Sequence, residues 1–184
     1  MKLHYFSSNA EKYEEIRELL PFPLHHKKVK FTKEQSSLKD IVLRKLKQLK
    51  NLYPDDIILV DSFGLELEGL HGLPGPYVEA FLNMGYENIE NIVQKVGRKA
   101  RAKNVLGLSI FESVILFEGI CDGQIVEARG TYSTGFDRIF MVDRDCCTLA
   151  EHVFNEKKVI SPRGCSVFYL VKYCERNQII RLFS

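Results

Sequence analysis

The four residues Ile57-Ile-Leu-Val60 constrain this chain more than any others. A continuous apolar run rich in β-branched side chains reads as a strand buried on both faces. It stops at Asp61-Ser62, with Gly64 close behind. A carboxylate at the carboxyl end of a buried α/β strand is a common place for ligand chemistry. Beyond it, Gly72-Leu-Pro-Gly-Pro-Tyr77 predicts a stiff turn, because two prolines fix φ and two glycines bend where a side chain would clash.

Upstream, residues 2–6 read as a first strand and Ser7-Ser8-Asn9 as the turn out of it. Asn9 caps a helix whose apolar stripe is Tyr13, Ile16, Leu19 and Leu20, and Pro21 and Pro23 end it. Lys12 sits in the first helical turn, where the dipole disfavours a cation. Either it is solvated and paired with Glu11 or Glu15, or the exposed amides and the lysine together receive phosphate. Residues 27–31 read as a short basic strand. A second helix over about 36–50 buries Leu38, Ile41, Val42, Leu46 and Leu49. Lys45 falls on or beside that stripe, so its ammonium either snorkels to water or turns inward to an anion.

Downstream, helices are expected over 77–84 and 89–96, broken at Gly85 and Gly97. The basic stretch 97–103 reads as solvated surface. Strands are expected over 104–117 and 124–129, joined by a hairpin at Cys121-Asp-Gly123. A last helix starts at Pro162, a sound first-turn residue. With 184 residues and neither repeat nor linker, a single domain over 1–184 is expected, at most with a small lobe.

Composition narrows the function. A net charge of +2 gives no case for a nucleic-acid or membrane partner. Residues 1–6 are not a signal peptide, and no apolar run reaches bilayer length. Five cysteines, an odd number without C-x-x-C spacing, indicate reduced thiols in a cytoplasmic protein rather than disulfides or zinc. His25-His26, among lysines, read as surface.

Four ordered segments resemble the inosine triphosphate pyrophosphatase family. The first carries Ser7, Asn9 and Lys12 on its Thr/Ser-x-Asn-x-x-Lys loop, and Lys45 (Arg44 if the register slips) falls on the helix lysine. The second is Gly72-x-Pro-Gly-x-Tyr77, preceded by the family's Glu-Asp-Ser-Gly-Leu. Without a gap, Asp61 takes the place of the glutamate and Ser62 that of the aspartate; with Phe63 as an insertion, Asp61-Ser62 match Asp-Ser and Val60 replaces the glutamate. The third aligns Gly135, Phe136 and Asp137, with Thr134 for a stacking phenylalanine and Arg138 for proline. The fourth, from Thr148 to Gly164, matches at Glu151, Lys157, Ser161 and Arg163, with Pro162 in place of histidine.

That resemblance implies an α/β fold, a long curved mixed sheet flanked by helices, with a nucleotide cleft between two lobes. It implies a Mg²⁺-dependent pyrophosphatase that converts inosine- or xanthosine-type triphosphates to monophosphate plus pyrophosphate, working as a homodimer. Asp61 would bind metal and position water, with Glu34 as the second metal residue. Ser7, Asn9, Lys12 and Lys45 would hold phosphates, Ser62 would also bind substrate, and Phe136, Asp137, Lys157 and Arg163 would hold base and sugar. The departures imply an alternative of another class, a catalytically impaired nucleotide- or partner-binding protein with the same fold.

Overall fold

The Ile57–Val60 run opens β3 (Ile57–Leu67), and its four side chains are at most 1% exposed. The computed structural model describes residues 2–32, 36–131, 135–143 and 145–183. β1 (Leu3–Phe6) runs parallel to β3, with Leu3 opposite Ile57 and Tyr5 opposite Leu59. β2 (His25–Lys27) runs parallel to β1 on its other side, with His26 opposite Tyr5. β4 (Pro74–Gly75) is antiparallel to β3. With β5 (Lys99–Ile110), β6 (Ser113–Ile125) and β7 (Phe140–Val142), hydrogen-bonded neighbours follow the order β2-β1-β3-β5-β6-β7. This is a mixed α/β sheet flanked by helices.

The chain divides into two compact units. The first comprises Met1–Ser62, Asn104–Gly119 and Arg163–Ser184. Here side-chain alternation sorts β3 between two layers of helix. Ile57 and Leu59 join Leu3, Tyr5, Leu106 and Leu108 against Ile16 of α1 (Ala10–Leu19) and Val167 and Leu170 of α6 (Pro162–Arg176). Ile58 and Val60 join Phe6 and Val105 against Val42, Leu46 and Leu49 of α2 (Leu38–Leu52). The same alternation sends the Asp61 side chain to the α1 and α6 layer. Asn9 caps α1 by accepting from the Lys12 N–H, and Ser37 caps α2 by accepting from Asp40.

The second unit comprises Phe63–Lys103 and Ile120–Pro162. It holds α3 (Val78–Leu82), α4 (Tyr86–Val96) and α5 (Phe154–Ile160). Gly85 and Gly97, with φ of 85° and 98°, bound α4 where a left-handed residue is required.

Several expectations need correction. Asp61-Ser62 do not end their strand: β3 continues to Leu67, because Leu65 and Leu67 are still buried. The strand expected over 27–31 lies at His25–Lys27. No hairpin forms at Cys121-Asp-Gly123; those residues lie inside β6, and the chain turns at Phe111-Glu112. Gly123 serves a close approach instead, since a Cβ there would lie 2.2 Å from the Met141 carbonyl oxygen. The basic stretch forms the start of β5, where Lys99, Arg101 and Lys103 pair with Glu68, Asp122 and Glu66. All five cysteines are free thiols. Among the described residues no helix is long and apolar enough to cross a membrane.

Gly107 of β5 lets α2 lie close, since a Cβ there would come within 2.4 Å of Val42 Cγ1 and 2.9 Å of Leu46 Cδ1. Gly107→Ala should therefore displace the helix that carries Lys45. Urea unfolding should show a loss of about 1–3 kcal/mol, the usual cost of an overpacked core.

Candidate active site

Asp61 is 4% exposed and is surrounded by donors. The Tyr5 hydroxyl donates to Oδ1 at 2.6 Å, and Lys12 Nζ lies 3.5 Å from the same oxygen. Arg163 Nη2 lies 3.6 Å from Oδ2. Lys45 Nζ donates to the Asp61 backbone carbonyl at 2.8 Å. Oδ2 is buried and makes no hydrogen bond among the described residues. Burial by itself would raise the carboxyl pKa. The charges of Lys12, Arg163 and Lys45 and the Tyr5 hydroxyl outweigh it and hold Asp61 well below the usual carboxylate range.

The same burial acts on the cations with opposite sign. It pushes Lys12 down to about 8, against the pull of Asp61 and with the repulsion of Arg163 and Lys45. Lys45 is lowered by burial, with Asp61 opposing. Tyr5 is raised by burial and by Asp61, so it stays a donor.

Local structure explains how these groups meet. The Ser7 N–H donates to the Lys27 carbonyl as β1 and β2 end. Ser7 Oγ accepts from the Asn9 N–H and Asn9 Oδ1 from the Lys12 N–H, both at 3.1 Å, which sets the first turn of α1. The Lys45 stem passes Phe31, its ammonium 5.1 Å from the ring centroid. Arg163 follows Pro162 in the first turn of α6 and pairs with Glu15 as well as Asp61. Lys12 thus pairs with Asp61, and the Lys45 ammonium turns inward. Ser62 is buried beside Asp61.

The second unit gathers other expected residues. Lys157 of α5 donates to Asp137 at 2.6 Å. Phe136 is 4% exposed, with ring centroids of Phe63 and Phe140 at 5.9 and 5.6 Å. Its ring is therefore largely core, with Phe63 the more exposed of that pair. Arg163, expected to face nucleotide with this group, pairs with Asp61 and Glu15. Thr148 and Glu151 bond to each other and brace a turn. Glu34 and Thr134 lie outside the described residues.

Sequence reading missed Tyr5 and Glu15. A tyrosine at a buried strand position needs a partner for its hydroxyl, which is the signal that was available. Glu15 carries none beyond its place one turn after Lys12. Among the described residues, no three His, Cys, Asp or Glu side chains gather as a metal site. A divalent cation at Asp61 Oδ2 would find one carboxylate and would draw its remaining ligands from an anionic substrate and water, an arrangement magnesium accepts.

The model of the Ham1 family matches residues 3–173. The inosine triphosphate pyrophosphatase of Encephalitozoon intestinalis is 33% identical over 186 residues, covering 98% of this chain and 96% of that protein. The dITP/XTP pyrophosphatase of Pyrococcus horikoshii is 32% identical, covering 89% and 91%. Among solved structures, a HAM1 protein from Coxiella burnetii superposes with a TM-score of 0.83 at 21% identity, covering 96% of this chain and 100% of that one.

Lys12 sets a pH dependence. With a folded pKa of about 8, below the ordinary lysine value, the unfolded chain binds more protons above that pH. The contribution of Lys12 to stability should therefore rise as pH goes from 7 to 9.5. Denaturant melts should show this rise in wild type and its loss in Lys12→Met.

Proposed function

The chain belongs to the Ham1 family, and from that premise we propose that it hydrolyses inosine- and xanthosine-type purine nucleoside triphosphates to the monophosphate and pyrophosphate. The observation that carries the proposal is the buried Asp61 enclosed by Lys12, Lys45 and Arg163.

Releasing pyrophosphate requires water to attack the α-phosphorus of a polyanion. Lys12, Lys45 and Arg163 offer three cations for the phosphate oxygens, and the start of α1, just after the Ser7–Asn9 loop, offers backbone amides. Asp61 would hold magnesium, whose chemistry there would be to neutralise charge on the phosphates. Asp61 is too acidic to be a strong base at neutral pH, so its role is to orient the water rather than to take its proton outright. The Asp137–Lys157 pair supplies an acceptor and a donor for a purine edge. The reading includes a homodimer in the cytoplasm, where free thiols stay reduced. A second reading, nucleotide binding without turnover, draws support from the low basicity of Asp61.

Pyrophosphate release from inosine, xanthosine, guanosine and adenosine triphosphates with Mg²⁺ tests the proposal. Wild type should turn over the first two, and Asp61→Asn should be slower by about 100-fold or more, the scale of losing a group that stabilises the transition state. Three cations around Asp61 should repel bare Mg²⁺. The ion alone should leave the melting temperature unchanged, and the ion with nucleotide should raise it. A rise in melting temperature without pyrophosphate release would favour the second reading.

A further inference from the structure

His26, which the sequence places at the surface, is half-buried and is tied to the candidate phosphate loop. Its Nε2 lies 2.9 Å from the Ser7 carbonyl oxygen. A carbonyl can only accept, so Nε2 carries the proton and donates, whether the ring is neutral or charged. The Ser7 N–H already donates to Lys27, the neighbour of His26 in β2. Both backbone polar groups of Ser7 are therefore fixed by β2.

The ring is itself held. Tyr13 of α1 stacks on it with centroids 4.6 Å apart and planes 9° from parallel, and the Tyr13 hydroxyl donates to the Leu24 carbonyl. Tyr5, which donates to Asp61, faces it at 6.3 Å and 28°. A chain of hydrogen bonds leads onward. Ser7 Oγ accepts from Asn9, Asn9 Oδ1 accepts from Lys12, and Lys12 Nζ reaches Asp61. His26 is thus the point where the loop between β1 and α1 is registered against β2.

We propose that His26 is a positioning residue for polyphosphate binding: its Nε2–H fixes Ser7 so that the start of α1 and Lys12 are set before the ligand arrives. The inference rests on the reading that this loop receives phosphate. A loop set in advance binds more tightly because less ordering remains to be done on binding. A ring between two tyrosines suits the task better than a flexible side chain, since its donor is already aimed.

Two variants separate the donor from the stacked ring. His26→Phe keeps the stack on Tyr13 and removes the donor; His26→Gln keeps an N–H donor without the ring. Calorimetry with inorganic tripolyphosphate and steady-state kinetics with inosine triphosphate provide the readouts, with melting temperatures recorded alongside. The Phe variant should bind tripolyphosphate more weakly, and raise KM, by on the order of two- to tenfold, the range for one lost hydrogen bond. Its kcat should stay within about twofold, and the Gln variant should remain near wild type in all three quantities. Phe matching wild type, or Gln impaired as much as Phe, overturns the inference alone. Wild type that binds no tripolyphosphate overturns the phosphate reading and this inference together.

Discussion

A buried carboxylate among three cations is the constraint on which the first unit depends. Taking Asp61 out of water costs several kcal/mol unless partners compensate. The partners come from separate elements: Tyr5 from β1, Lys12 from α1, Lys45 from α2 and Arg163 from α6. The two helical layers packed by the alternating side chains of β3 are thereby also held at one charged centre. Lys12, Lys45 and Arg163 would repel one another without Asp61. With it, their charge is balanced, and under the proposed function a polyanion would take over as their counter-charge. That is electrostatic preorganisation, in which the fold bears the cost of gathering like charges before any ligand binds.

How much was legible in the sequence depended on how local each cause was. The Ile57–Val60 run, the Asn9 cap, the buried stripe of α2 and Pro162 at the start of α6 follow from neighbouring residues, and the structure contains all four. The Asp122-Gly123 signal misled because Gly123 answers a steric demand from Met141, a residue outside the local window. The end of β3 misled because an apolar run gave way to partly alternating burial, which a strand also sustains.

The site divides in the same way. Ser7, Asn9, Lys12, Lys45, Asp61 and Arg163 could be listed from motifs, and the structure brings Lys12, Lys45 and Arg163 to Asp61. Tyr5 and Glu15 were not found, because their partners lie 56 and 148 residues away in the chain. His26 was misread for a similar reason: its sequence neighbours are basic, but its packing partners are Tyr5 and Tyr13. Phe136 shows the opposite error of emphasis. A motif marks it for a ligand, and in the second unit its ring is mostly used by Phe63 and Phe140.

The cluster of cations depends on the charge state of Asp61. A carbon-detected NMR titration of its side-chain carboxyl, in ligand-free protein that remains folded, tests it most directly. The carboxyl should remain ionised as pH is lowered past the ordinary aspartate value of about 3.9, because Lys12, Arg163, Lys45 and Tyr5 together stabilise the anion. A carboxyl that titrates at or above that value would mean that burial outweighs the cations, and the preformed polyanion site described here would not exist.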